Sequence, residues 1–244
     1  MRRIVLSLVL MTVTHLTLRA QGAATFHVFP QIADGLAGNT AYFSTLAAVN
    51  VSPQPATCTV RLYGGVAGRI ASPTFTLTPS GGVGGPNTVL ASGTILPLAT
   101  GYGTLTCDQP VAAYVGYLLY SAATNPPTLA AGATVFSSPP TTRAEVIVTN
   151  VSGYRTAFAI ANDTDSAAQY QLRVLTDTGQ QVATANVSVP ARSNVAKFID
   201  ELVTLPPSFV GGAFITSTAG LFSTVGLLFN GSVFISEPAV NFGP

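Results

Sequence analysis

The sequence predicts an all-β protein, built as two tandem immunoglobulin-like antiparallel β-sandwich repeats after a cleavable signal peptide. Three observations predict this class. Short β-branched and aromatic runs recur about every 10–12 residues, and Gly, Pro, Asn and Asp divide them. The chain that follows the N-terminal segment has no long run with helical periodicity. A stretch beginning at Tyr42 also recurs 112 residues further on, which indicates repeated units.

The N-terminal residues follow the order of a secretory signal peptide. Arg2 and Arg3 supply a positive start, residues 4–18 are mostly apolar, and residues 20–24 are mostly small. The apolar run is shorter than the ~20 residues of a membrane-spanning helix, so the sequence predicts cleavage rather than anchoring. With residues 1–23 as the signal peptide, we expect the mature protein to be secreted, periplasmic or exposed on the cell surface.

Charged side chains are scarce. They make up 8% of the chain, hydrophobic residues make up 48%, and the formal net charge is +1. Soluble proteins usually have a charged share of about 25%. A chain with so little charge creates no field that attracts a polyanion, so no nucleic-acid partner is expected. The composition also excludes a highly charged helical bundle and a long acidic or basic tail.

An internal duplication dominates the rest of the chain, because residues 42–62 match residues 154–174 without a gap. The coincident pairs are Tyr42 and Tyr154, Ala47 and Ala159, Asn50 and Asn162, Ala56 and Ala168, and Arg61 and Arg173. Further along, Val115 and Gly116 match Val225 and Gly226. Several matches in one order predict two units, at residues 24–140 and 141–244.

Strand patterns fill the second predicted unit. They fall at residues 145–149, 156–162, 169–175, 181–189, 195–199, 213–217, 221–229 and 233–235. Residues 197–203 are the candidate for a helical turn. The uncharged run at residues 210–229 has the length of a membrane helix, but its glycines and its β-branched residues at strand spacing favour strands. No stable membrane span is therefore expected after signal cleavage.

Cys58 and Cys107 are the two cysteines of the chain. An even number in an exported protein favours a disulfide between them, and both lie in predicted strands. The bond would close a loop of about 50 residues, to which the chain-entropy model assigns about 4 kcal/mol of stability. Two buried free thiols are the alternative.

The sharpest chemical motif is Asp177-Thr178-Gly179, because aspartic proteases use this motif in pairs of loops. The matching position in the first unit is Gly65, so a homodimer would have to supply the second carboxylate. Asp and Gly are also common turn residues, and a hairpin turn is the favoured interpretation.

Other polar residues give weaker signals. Asp163 and Asp165 could bind a metal such as calcium, but a solvated turn is favoured because no Glu completes an EF-hand loop. His27 is the one histidine after the signal peptide, and a Ser-His-Asp triad would require it. Asp200 and Glu201 are adjacent, so their carboxylates are expected to point in different directions at the surface.

Tyr114, Tyr117 and Tyr120 are candidates for an aromatic ligand platform of the kind that carbohydrate-binding modules use. Side chains alternate between the two faces of a strand, however, so a spacing of three would split these tyrosines between faces. The chain also has no Trp, which weakens the hypothesis of a sugar platform.

Framework residues of the second unit carry a resemblance to a known family. They are residues 153–162, Gly179, residues 189–191, residues 197–202, Gly212 and Pro238. With them the chain resembles the repeats of exported proteins of soil bacteria, of the acidobacterial type, a family without an established activity. The resemblance implies a signal peptide and tandem β-sandwich units, and it assigns no functional residue. The first unit departs from the pattern at residues 39–42.

These observations predict a non-enzymatic structural or adhesive protein, secreted or on the cell surface. A low-charge surface suits contacts with protein partners, or self-association through exposed strand edges. A carbohydrate-binding module is the alternative, and a dimeric aspartic protease that uses Asp177 is a third hypothesis. No cofactor is expected.

Overall fold

The computed structural model describes residues 22–79, 88–90, 96–123, 127–231 and 233–243. Within these ranges the protein consists of sixteen antiparallel strands and two short 3-10 helices, which confirms the predicted all-β class. Residues 1–21, most of the predicted signal peptide, lie outside the described residues. No helix among the described residues has the length and apolar character that crossing a membrane requires.

Seven strands form the first half. They are β1 (Ala24–Ala37), β2 (Thr40–Asn50), β3 (Ala56–Gly64), β4 (Thr74–Leu77), β5 (Thr88–Leu90), β6 (Ala99–Ser121) and β7 (Thr128–Phe136). The long strand β6 connects two layers: its first part pairs with β1 and β3, and its second part pairs with β2 and β7. β4 and β5 extend these layers beside β3 and β2.

Nine strands form the second half. They are β8 (Arg143–Thr149), β9 (Tyr154–Asn162), β10 (Ala168–Thr176), β11 (Gln181–Val189), β12 (Ser193–Phe198), β13 (Val210–Ser217), β14 (Ser223–Asn230), β15 (Val233–Pro238) and β16 (Val240–Asn241). One sheet has the order β11-β10-β13-β8-β16 and the other has the order β12-β9-β14-β15. Apart from β16 and the β1–β2 pairing of the first half, the pairings follow those of the first half, with β13 and β14 in the places of the two parts of β6. A 3-10 turn at Ile199–Glu201 lies where the helical turn was predicted.

Strand register relates the two halves residue by residue. Thr45 on β2 is opposite Gly116, and Ala157 at the matching position of β9 is opposite Leu227. Gly116 therefore corresponds to Leu227, and the predicted match of Gly116 with Gly226 is wrong by one residue. The error matters because a slip of one residue moves every side chain of a strand to the other face.

The core of the first half includes side chains from the second half. They are Ala157, Ala159, Val225, Leu227 and Phe234. Their neighbours Phe158 and Ile160 on β9 face the core of the second half instead. Because side chains alternate along a strand, the sheet β12-β9-β14-β15 is buried on both faces. The two halves therefore share an apolar interface.

Candidate functional site

The outward face of β2, of the second part of β6 and of β7 is the first candidate surface, and we call it the β2–β6–β7 face. Its outward residues are Phe43, Thr45, Val49, Tyr114, Gly116, Leu118, Tyr120, Gly132, Thr134 and Phe136. None of these side chains is charged at neutral pH. Val49, Tyr114 and Phe136 are 40%, 40% and 43% exposed, so the face presents large apolar groups to solvent.

The three tyrosines of the predicted ligand platform do not share this face. Tyr117 is buried, and its hydroxyl donates a hydrogen bond to the backbone carbonyl of Gln31. Burial raises the pKa of Tyr117 well above its usual value. Tyr114 and Tyr120 point outwards, as strand alternation requires. The platform of three is therefore wrong, and the structure corrects it to two tyrosines on one face.

Phenylalanines from neighbouring strands accompany the two outward tyrosines. The rings of Tyr114 and Phe136 lie 6.4 Å apart, and those of Phe43 and Tyr120 lie 5.6 Å apart, both edge to face. Sequence analysis missed both phenylalanines, because only the register of β2 and β7 against β6 brings them to these positions. The exposed Tyr114 and Phe136 are a directly opposed cross-strand pair.

A shallow groove of about 470 Å³ crosses this face. Gly116 and Gly132 line it, and Phe136 and Ile235 stand at its sides. A Cβ on Gly116 would lie 2.9 Å from the Thr45 hydroxyl oxygen, so a larger residue here would displace the Thr45 side chain. The groove is open and mainly apolar, and it can accept a protruding side chain.

A second concave site of about 380 Å³ lies between the two halves. Tyr42, Phe198 and Phe229 contribute aromatic rings, and Lys197 and Glu201 contribute charges 4.0 Å apart at its edge. Desolvation raises the pKa of Tyr42. Pockets at domain junctions that combine apolar walls with a few polar groups are typical ligand sites.

Cys58 and Cys107 form a disulfide, as the sequence predicted. They are directly opposite each other on β3 and β6, with Cα atoms 4.1 Å apart, and both side chains are buried. The bond therefore cross-links two neighbouring strands of one layer within the buried core.

The predicted metal ligands Asp163 and Asp165 bind a guanidinium group. Arg192 Nη1 lies 2.7 Å from Asp163 Oδ1, and Arg192 Nε lies 2.9 Å from Asp165 Oδ1. The hydroxyl of Tyr102, from the first half, donates to Asp163 Oδ1 at 2.8 Å. The described residues contain no group of three or more His, Cys, Asp and Glu side chains that could hold a metal ion. Arg192 therefore holds the two carboxylates together within the second half, and Asp163 joins the halves through the Tyr102 hydroxyl.

His27 is buried at the start of β1. Its Nε2 donates to the carbonyl of Val111 at 2.9 Å, which leaves Nδ1 to accept a hydrogen bond from the Ser137 hydroxyl at 2.9 Å. Desolvation lowers the pKa of His27, so the ring is neutral. Sequence analysis missed Ser137 as its partner. The arrangement ties β1 to the middle of β6 and to the residue that follows β7.

The other acidic residues that the sequence singled out lie in a turn or form surface ion pairs. Asp177 is exposed in the turn between β10 and β11, where Gly179 has a φ of +82° and its N–H donates to the carbonyl of Thr176. This geometry is the hairpin turn that the sequence favoured. Asp200 forms a bidentate pair with Arg155, at 2.7 and 2.8 Å. Glu201 faces Lys197 instead, so the adjacent carboxylates point to different partners.

Comparison with known proteins gave no match to a protein-family model, to a curated protein or to a solved structure.

Proposed function

We propose that this protein is a non-enzymatic structural or adhesive protein, secreted or on the cell surface, that acts through protein–protein contacts. The observation that carries the proposal is the β2–β6–β7 face, which exposes Tyr114 and Phe136 on a surface without charged side chains. The centres of protein interfaces are depleted of charge and enriched in aromatic residues. Contiguous exposed apolar patches on soluble proteins mark interaction sites.

We further propose that the two halves are copies of one β-sandwich unit. The equal order of strand pairing and the matched positions of Asn50 and Asn162 support this duplication. The buried disulfide supports export, because such bonds persist in oxidising compartments. An exported duplicated scaffold with a neutral contact face fits a structural or adhesive role.

Site-specific photocrosslinking tests the proposal. The full chain is expressed in a secreting bacterial host with p-benzoylphenylalanine at residue 136, and irradiated on intact cells. The matched control has the same group in place of Val182, which is also exposed but lies on β11, at the far edge of the second half. We expect covalent protein adducts from residue 136 and none from residue 182. Equal labelling at both positions, or none at either, would contradict a specific protein-contact face.

Carbohydrate binding is the second candidate function, and the cleft between the halves favours it. Tyr42 and Phe198 line the cleft, and Lys197 and Glu201 offer polar groups of the kind that bind hydroxyls. Retention on insoluble polysaccharides tests this role. Loss of retention in Tyr42→Ala, with unchanged retention in Phe136→Ala, would favour the carbohydrate-binding function over the protein-contact function.

A further inference from the structure

Equivalent surfaces of the two halves differ in their exposure to solvent. In the second half, the face of β9 and β14 that carries Ala159 and Val225 is buried, with 0% and 3% of these side chains exposed. By strand register, Val225 corresponds to Tyr114 on the β2–β6–β7 face, which is 40% exposed. One copy of this surface is therefore covered by protein, and the other faces solvent.

β1 and the first part of β6 cover the second-half surface. Val28 and Tyr102 pack against Ala161 in a buried cluster. At its side, the amide of Asn194 donates to the carbonyls of Pro30 at 3.2 Å and Gly101 at 2.9 Å. The outward side of the sheet that contains β1, β6 and β3 is thus the surface that docks on β9 and β14.

The second half carries the counterpart of that docking surface. In the first half Val28 is opposite Thr104, and in the second half Glu145 is opposite Phe214. Because Phe214 holds the place of Thr104, Glu145 corresponds to Val28. On this side of β8 and its neighbour β16, the side chains of Ile147, Val240 and Phe242 are 57%, 58% and 46% exposed. We call this surface the β8–β16 face.

We propose that a second copy of this chain docks on the β2–β6–β7 face through its β8–β16 face. The inference rests on the proposed function, and it names the partner. Each chain exposes both surfaces, and the contact between the two halves already shows how equivalent surfaces fit together. Because the two surfaces differ, the contact is head to tail, and repetition extends the assembly by one chain at a time.

The chemistry of the two faces is compatible with this contact. Arg143 stands over the rings of Phe242 and Phe214, at 4.4 and 5.6 Å from their centroids, and Glu145 lies on the same side of β8, so the β8–β16 face combines apolar side chains with one positive and one negative group. Tyr114 and Phe136 offer the aromatic faces on which a guanidinium packs well. The groove above Gly116 and Gly132 offers space for a branched side chain such as Ile147.

Light scattering during size-exclusion chromatography of the exported, processed protein tests the inference. Phe136→Glu places a charge on one face, Ile147→Glu places a charge on the other, and Val182→Glu is the matched control outside both. We expect the wild type and the control to increase in mass with concentration, and each single-face variant to remain a monomer. An equimolar mixture of the two face variants is expected to form dimers and nothing larger, because one intact face remains on each chain.

Other outcomes overturn the inference. A wild type that stays monomeric at the highest attainable concentration excludes self-docking. If Ile147→Glu assembles like the wild type while Phe136→Glu does not, the contact joins two copies of the same face and is not head to tail. Far-ultraviolet circular dichroism and thermal melting confirm that each variant folds, and Tyr114→Glu and Val240→Glu replace any variant that does not. A monomeric wild type whose residue 136 still crosslinks to a different protein would overturn this inference and leave the proposed function standing.

Discussion

Asn50 and Asn162 hold the same position in the two halves and make equivalent hydrogen bonds. Each buried side-chain amide donates to a matched pair of backbone carbonyls, one four residues ahead and one in the segment after the fourth strand of its half, and Asn162 donates to the carbonyl of Val189 as well. The acceptors are Gln54 and Thr78 in the first half, and Ser166 and Pro190 in the second. Each Oδ1 accepts from the N–H two residues ahead. All these pairs keep the spacing of 112 residues.

Asn162→Ala is expected to lower the free energy of unfolding by about 2–4 kcal/mol, because buried carbonyls lose their donor. Asn50→Ala should have a similar effect. Asn186→Ala, on the exposed side of β11, is the control and should change stability by about 0.5 kcal/mol or less. Urea denaturation of the three variants measures these differences. A loss at Asn162 no greater than at Asn186 would contradict a shared structural role for the two asparagines.

Local patterns predicted the strands, the turn at Asp177 and the cysteine pair, since alternation, turn residues and cysteine count are properties of the chain itself. Contacts between residues far apart in the chain were not predictable in the same way. Asp165 and Arg192 meet only because the sheets pack, and Phe136 reaches Tyr114 only through the register of β7. One signal was available: β9 alternates alanines with larger apolar residues around Phe158, which indicates burial on both faces.

Combined Cys58→Ala and Cys107→Ala substitution is expected to lower stability by about 4 kcal/mol, in line with the loop that the disulfide closes. Because both sulfurs are buried, a reductant should act on the bond only after unfolding. Treatment with dithiothreitol at a series of urea concentrations, followed by labelling of the released cysteine thiols, measures this dependence. Labelling of the folded protein without urea would show that β3 and β6 separate locally at the disulfide.

Calcium is expected to leave the melting temperature of the wild type unchanged, because the carboxylates of Asp163 and Asp165 already form ion pairs with Arg192. The Arg192 guanidinium also lowers the pKa of Asp165, mainly through its hydrogen bond. Differential scanning calorimetry with calcium, and with magnesium as the control, checks this expectation. A calcium-specific rise in the wild type would revive the metal-site hypothesis, and a rise confined to Arg192→Gln would show that the arginine blocks such a site.

Stability is expected to fall as the pH decreases below about 6.5, the usual pKa of an unfolded histidine. Burial lowers the pKa of His27 in the folded protein, so the unfolded chain binds a proton there first, and the proton favours unfolding. The stability is fully present above pH 6.5 and is lost as the pH falls towards the folded pKa. Urea midpoints between pH 5 and 8 measure the slope. His27→Gln should remove it, and an unchanged slope in that variant would assign the effect to other groups.

Tyr170 and Tyr102 give opposite predictions for the same substitution. Both rings are buried, but the Tyr102 hydroxyl donates to Asp163 at 2.8 Å, whereas the Tyr170 hydroxyl has no hydrogen-bond partner among the described residues. Burial raises the pKa of Tyr170 to about 12. Tyr170→Phe should therefore raise the free energy of unfolding by about 1 kcal/mol, and Tyr102→Phe should lower it by about 1–2 kcal/mol. Urea denaturation at pH 7 compares the two variants, and a loss of stability in Tyr170→Phe would show that its hydroxyl is satisfied in solution.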